Sequence, residues 1–261
     1  MKKIAVFSIC FIAYLSLAKA QTVQNNSFKS GEKLKFVASY YMSSLWADLA
    51  EISMEVSDMK SSTQDLYRLK CTASTYQSWD SYFKIRDLYE SYVDKATVKP
   101  YLFKRSVEEG TYKKNAKYVY KWKSGIVSAT IQRMADPEYK MDIDVAPNTY
   151  DIVSVIYLLR TMDFSKKKVG EITKIKVMFD EKEEIVTIKY AGTETINIAK
   201  YGKKQCYKLS ISLKDDTVLK GKDSNNVWFT ADKNMVPVLI KAEIPVGSVQ
   251  IRLVEMAGLK N

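Results

Sequence analysis

In Ala50-Glu51-Ile52-Ser53-Met54-Glu55-Val56-Ser57 every second residue is apolar, and the residues between are acidic or hydroxylic. Successive side chains of an extended chain point to opposite faces, so this octet reads as a strand with one face to a core and one to water. The same period runs outward in both directions. Leu34, Phe36, Ala38 and Tyr40 precede it against Lys33, Lys35 and Ser39, and Tyr67, Leu69, Cys71 and Ala73 follow against Arg68, Lys70, Thr72 and Ser74. It returns at Tyr118, Tyr120 and Trp122, at Ile175, Val177 and Phe179, at Val186, Ile188 and Tyr190, and at Tyr207, Leu209, Ile211 and Leu213. Residues 227–230, 236–244 and 249–254 complete the set. Lys123-Ser124-Gly125, residues 180–183, Asp223-Ser224-Asn225-Asn226 and Asp232-Lys233-Asn234 supply the reversals. Half-buried strands of this kind pair antiparallel.

One segment departs from period two. After Pro147, Ile152, Val155, Ile156 and Leu159 fall at helical spacing, with Asn148 or Thr149 available as N-cap and Asp151 in the first turn. The spacing predicts a core helix over residues 148–161, although the β-branched content leaves a strand open. About a dozen strands exceed what one open sheet holds without curling. The expected fold is therefore mainly β: a single antiparallel β-barrel or strongly curled half-barrel with one core-packed helix.

The first twenty residues read differently. Lys2 and Lys3 precede the apolar run 4–17, and Ala18-Lys19-Ala20 is a small-x-small site. This is the layout of a secretory signal peptide, with cleavage expected after Ala20, and the run is too short for a spanning helix. Ile9 before Cys10 does not suit lipidation. Residues 21–30 are polar and expected to fray, so the β-rich domain is assigned to 31–261. No later stretch is apolar enough to form a transmembrane helix, and the expected location is the periplasm.

Composition removes much chemistry. The 261 residues include no histidine, which excludes Ser-His-Asp and Cys-His catalysis and His-ligated zinc. Three cysteines cannot complete a four-thiolate site. Beyond the leader only Cys71 and Cys206 remain. Alternation puts Cys71 on an apolar face and Cys206 among Lys204, Lys208 and Ser210, so two free thiols are expected unless a bulge shifts the register. Paired carboxylates at Glu108-Glu109, Asp142/Asp144, Asp215-Asp216 and Glu181/Glu183/Glu184 read as solvated turns and faces, since adjacent residues of a strand diverge and two carboxylates do not fill a calcium shell. The net charge is +11, densest at Lys113-Lys114, Lys166-Lys167-Lys168 and Lys203-Lys204. Lysine in excess of arginine fits solubility and edge protection better than phosphate recognition, and export argues against nucleic acid.

Longer blocks carry a resemblance. Gly31-Glu32-Lys33-Leu34-Lys35-Phe36 opens it. Asp87-Leu88-Tyr89-Glu90-Ser91-Tyr92-Val93-Asp94 with Pro100, Phe103-Lys104-Arg105 and Glu109-Gly110-Thr111-Tyr112 continue it. Asp151 with Tyr157-Leu158-Leu159-Arg160 follows, then the stretches 227–238 and 244–249. In order and spacing these resemble a bacterial envelope family known as domain of unknown function 3108, from Gly31 to Leu253, with Ala231 standing where an acidic residue is expected. The resemblance implies an exported β-rich protein and no catalytic residue or cofactor.

The chain holds 18 Tyr, 9 Phe, 4 Trp and 10 Met. Tyr40, Tyr41, Trp46, Tyr76, Trp79, Tyr82 and Phe83 crowd its first third. Aromatics are good strand residues and also line apolar cavities. The functional expectation is a non-catalytic protein binding a hydrophobic or amphipathic envelope ligand such as a lipid, in a cavity lined by Phe36, Tyr40, Met54, Ile152 and Ile156. The alternative is a structural module contacting another envelope protein. In an exporting host, intact mass should give a chain starting at Gln21 without acyl mass; a retained Met1 or a lipid adduct on cysteine would contradict the leader reading.

Overall fold

The alternation becomes strand almost wherever it was read. The computed structural model describes residues 24–42, 45–60, 64–213, 225–243 and 247–261; the leader lies outside them, as does Asp215-Asp216. β1 (Lys33–Met42), β2 (Leu45–Lys60), β3 (Asp65–Thr75), β4 (Arg86–Asp94), β5 (Pro100–Glu109), β6 (Tyr112–Lys121), β7 (Ile126–Arg133) and β8 (Tyr139–Asp144) form an antiparallel meander. β9 (Thr149–Asp151) and α1 (Ser154–Arg160) follow. Then β10 (Ile172–Phe179), β11 (Lys182–Ile198), β12 (Gly202–Leu213), β13 (Asn226–Thr230), β14 (Pro237–Glu243) and β15 (Ser248–Ala257) form a second meander, and β15 pairs with β1. Among the described residues this is one sheet of fifteen strands, with β8 and β9 at its ends and β9–β10 its parallel pair. The expected dozen is too few: β8 alternates but is only six residues long, and the three-residue β9 is too short to show a period.

Connectivity forces the sheet to curl. Fifteen strands at about 4.8 Å spacing would set the outer strands about 65 Å apart if laid flat. Yet β8 passes to β9 through residues 145–148, and a segment of that length reaches about 18 Å at most. The two ends of the sheet therefore face each other. No backbone ladder among the described residues joins them. Side chains do: Ser91 Oγ on β4 donates to Asp151 Oδ2 at 2.5 Å, and the β10–β11 tip reaches β5, β6 and β7 through Asp180 and Glu181.

The helix is shorter than the spacing suggested. Residues 149–151 pair as strand, so Asn148 and Thr149 cap nothing. Asp151 instead accepts from the backbone N–H of Val153 (2.9 Å) and of Ser154 (2.8 Å), ahead of the N-cap position Val153. Burial raises the pKa of its fully enclosed carboxyl, with the Ser154 and Ser91 hydrogen bonds pulling the other way. The helix is wrapped on nearly every side. Tyr157 joins a cluster with Phe28, Leu34, Phe36, Met54, Leu69 and Tyr118, while Leu158 and Leu159 join a second with Ile175, Ile188, Leu209 and Phe229. Ile152 and Ile156 lie half-buried between them. The anticipated stripe is thus rotated toward Tyr157 and Leu158, because the curled sheet meets the helix on two sides.

One end of the curl is closed by polar clasps. Arg160 and Glu32 are both 0% exposed and joined in a fork, Nη1 to Oε1 at 2.5 Å and Nη2 to Oε2 at 2.7 Å. Arg160 also donates to the carbonyl of Asn234, and its guanidinium lies over the rings of Phe28 and Tyr157, 5.2 Å from each. Ser27 Oγ donates to the Arg160 carbonyl at 2.5 Å. The segment expected to fray is therefore docked from Asn25 onward, because Phe28 supplies apolar area and Arg160 needs the carbonyls beside it. Asn261 and Asn234 bond reciprocally across the same end.

Cys71 and Cys206 are both free. Cys206 is fully buried and not on a polar face. At this point β12 is covered on both sides, Leu209 entering one cluster and Cys206 the other. Burial pushes the thiol pKa of Cys71 up to about 12 and that of Cys206 to about 11, so neither is held as the reactive thiolate. In denaturant, unreduced protein should take up two equivalents of alkylating reagent. Arg160→Met should lower the unfolding free energy by about 3–5 kcal/mol, because Glu32 is left buried without its cation, and adding Glu32→Met should recover part of it in urea titrations.

Candidate functional site

The end of the curl opposite the clasps is where β1 ends, β2 begins, β3 turns toward β4 and β15 begins. Here the concave face narrows onto small residues. Ala38 pairs with Ala50, and Ala50 with Thr75, so little side-chain volume fills the space. Residues 76–85 fold over it. A 3-10 turn, Gln77–Trp79, brings Trp79 inward, and the backbone N–H groups of Tyr82 and Phe83 donate to its carbonyl at 2.9 and 3.0 Å. Asp80 pins the segment: Thr75 Oγ1 donates to Oδ1 at 2.6 Å and Arg86 Nη2 to Oδ2 at 2.5 Å. Hydrogen bonding from Arg86 and Thr75 holds the Asp80 carboxyl below its usual range.

Beneath this cover lies a cavity of 190 Å³ lined by Ala38, Tyr40, Leu49, Ala50, Trp79, Tyr82, Phe83, Ile85 and Val249. Ser39 and Thr75, which also line it, turn their hydroxyls away, since Ser39 Oγ donates to Asp48 and Thr75 Oγ1 to Asp80. The walls are therefore apolar. Tyr82 is 80% exposed and Phe83 54% exposed, so large apolar surface is held in water at the entrance. Two glycines permit this packing. A Cβ on Gly247 (φ +83°) would come within 2.4 Å of the Tyr41 carbonyl, next to the Tyr40 ring, and Gly110 (φ +60°) lies under the Phe83 ring.

The five residues expected to line one cavity are divided. Tyr40 lines the cavity at the open end. Phe36 and Met54 are buried in the main cluster, on strands whose paired residues fill the centre of the curl. Ile152 and Ile156 pack against both clusters. The centre is thus filled core, and Phe36, Met54, Ile152 and Ile156 are correspondingly structural. What was missed is Trp79, Tyr82 and Phe83 as walls: their density in sequence was visible, but only the fold back over Ala38 and Ala50 makes it a site.

The acidic groups also sort themselves. Asp142 and Asp144 are exposed on β8. Glu183 is not merely solvated: it accepts from the Ala146 N–H at 2.8 Å and from the Thr149 hydroxyl, holding β9 in place. Lys114, read as surface charge, is 2% exposed, since β6 turns its even-numbered residues inward with Ala116 and Tyr118. Among the described residues, no group of three or more Asp, Glu or Cys is placed to hold a metal.

A family model described as protein of unknown function, DUF3108, matches residues 35–254. The chain belongs to that family. No curated protein matches it. Among solved structures, this DUF3108 protein is similar to a β-barrel-like protein of the domain of unknown function DUF1849 from Brucella abortus, with TM-score 0.59 and 12% identity over 87% of this chain and 96% of that one. At that identity the likeness shows a shared β-barrel-like fold. A structure described as a "putative lipoprotein" from Parabacteroides distasonis aligns at TM-score 0.35 and 8% identity, over 90% of this chain and 98% of the other.

The division between core and open end is measurable. Phe36→Ala should cost about 3–5 kcal/mol in urea unfolding, as for a filled core, whereas Tyr82→Ala should change stability by no more than about 0.5 kcal/mol.

Proposed function

We propose that this DUF3108 protein is an exported, non-catalytic binding protein of the bacterial envelope that takes the apolar part of an amphipathic ligand at the open end of its β-barrel-like sheet. The apolar cavity under Trp79, Tyr82 and Phe83 carries the reading. Its 190 Å³ is below the ~300–1,000 Å³ of sites that enclose a whole small molecule, but above the ~150 Å³ that suffices for one benzene ring. A ring or a short alkyl segment fits inside, and the remainder lies across the exposed Tyr82 and Phe83. Exposed apolar side chains beside an apolar recess are costly for a protein that leaves them uncovered. The leader pattern of residues 1–20 supports export, and the missing histidine argues against an enzyme.

A second reading, an interaction module, draws on a different surface. Tyr41 and Trp46 lie exposed on the outer face, ring centroids 6.2 Å apart, with Arg252 over Trp46 at 5.9 Å. The two readings separate by mutation. Titration of full-length mature protein with the neutral probe N-phenyl-1-naphthylamine should show binding that weakens about tenfold or more in Trp79→Ala/Phe83→Ala and is unchanged in Trp46→Ala. Wild-type protein that takes up no probe would reject the ligand-binding reading and leave the outer aromatic face as the functional surface.

A further inference from the structure

At the same open end, across the curl from the aromatic recess, the inner faces of β5, β6 and β7 present Arg105, Lys114 and Arg133. Lys114 and Arg133 are directly paired across β6 and β7, and Arg105 is one row away, opposite Ala116, whose small side chain leaves room between the three. The tip of the β10–β11 hairpin enters this ring. Asp180 Oδ1 accepts from Arg105 Nη1 at 2.6 Å and Lys114 Nζ at 2.9 Å, and Glu181 Oε1 accepts from Lys114 at 3.3 Å and from Arg133. Asp180 holds a left-handed conformation (φ +51°) to do so. Burial would raise both carboxyl pKa values, but the Lys114 and Arg133 hydrogen bonds and the surrounding cations overcome it and hold both below the usual range.

The tip does not satisfy the ring. Arg105 Nε–H and the Tyr118 hydroxyl are buried without a partner, and Tyr118 is only 1% exposed. Tyr89 lies under the Arg105 guanidinium at 5.7 Å, and Asp87 on β4 is engaged by the Tyr89 hydroxyl and the Glu108 N–H. Unpartnered buried donors cost free energy that a better acceptor would recover. Two carboxylates bring a charge of about −2 and two linear forks. A phosphate monoester brings about −1.5 to −2 in one group, with three acceptor oxygens in a tetrahedral arrangement. It matches the charge displaced and has oxygens to spare for the two orphaned donors.

We propose that Arg105, Lys114, Arg133 and Tyr118 form a binding site for a phosphate monoester, which the Asp180–Glu181 tip occupies as an internal surrogate and vacates when the ligand enters. Half-exposed Asp180 and Arg133 give the entry path, and buried Lys114 and Tyr118 form the floor. The source of the monoester is a lipid head group or a soluble phosphate. The lipid case rests on the apolar-recess reading above; the phosphate site itself does not.

Calorimetric titration of folded full-length mature protein with inorganic phosphate tests it, at constant ionic strength against chloride. Asp180→Asn/Glu181→Gln removes the competing charge while keeping size and the tolerated left-handed turn. It should bind phosphate about tenfold or more tighter than wild type, and adding Lys114→Met should abolish the gain. A folded double variant with wild-type affinity would overturn the proposal. Should the double variant not fold, Glu181→Gln alone should gain about threefold, and no gain overturns it equally. Dihexanoyl phosphatidic acid bound about tenfold tighter than inorganic phosphate assigns the lipid source; equal affinity assigns a soluble phosphate. Uptake of the neutral naphthylamine probe should be untouched by Lys114→Met, so failure of one site is readable apart from failure of the other.

Discussion

The passage from β8 to β9 through residues 145–148 is the constraint on which the rest of this structure depends. The chain builds eight strands outward from β1 and then has to begin its return from the opposite end of the sheet. A short connection leaves one solution, a sheet curled until its ends face each other. The curl creates an interior, and the interior has to be filled. The chain fills it with the segment that comes next, which is why β9 and α1 sit between the two meanders and why α1 is apolar on several sides. Because β8 and β9 share no ladder, the seam is left to side chains, and Asp151, Asp180 and Glu181 are acidic residues with partners on strands far away in sequence.

The buried Arg160–Glu32 fork answers a different need. An ion pair wholly removed from water gains little over an apolar pair of the same shape, since desolvation offsets the Coulombic attraction. Its value is in selecting one arrangement. Arg160 ends the helix, Glu32 precedes β1, and Ser27 and Asn234 belong to two further segments. A guanidinium with donors on three nitrogens is satisfied only when all of these are in place, so the fork fixes the depth of the helix in the curl. Phe28 and Tyr157, ring centroids 4.8 Å apart, then pack around it.

Strands were legible because burial on one face writes period two directly into the sequence, as in Leu34–Tyr40 and Ala50–Val56. The reading failed where a second layer covers the outer face and where a charged residue lies on the inner one. Cys206 sits among lysines in sequence and is buried in the fold; Lys114 is half of a lysine pair and is sealed beneath a hairpin tip. Helical spacing in residues 148–161 was real but blurred, since the same residues supply a short parallel strand before the helix and the helix is enclosed on more than one side. Phe36 and Met54 had the right chemistry for a cavity wall, but chemistry does not separate a wall from a packed core. The aromatic recess required contact between residues 38–50 and 76–85, and a crowd of aromatics in sequence carries no record of which of them meet.

Two arginines show how differently the ends of the curl are resolved. Arg160 donates from Nε, Nη1 and Nη2 to Glu32, Asn234 and Ser27, and its plane is covered by two rings. Arg105 meets Asp180 through Nη1 and keeps a buried Nε–H without an acceptor. Both are enclosed by the same fold, so the difference is not one of available burial. At the clasp the Arg160 guanidinium is saturated and the apolar groups around it are covered, although the buried Tyr157 hydroxyl has no partner. Where Tyr82 and Phe83 stand in water and Arg105 and Tyr118 lack partners, local rules of satisfaction are broken in the same quarter of the molecule. Such departures are costly and concentrate where a structure must still accept something. On the proposed reading the open end is where the ligand enters, and the clasped end holds the sheet closed behind it.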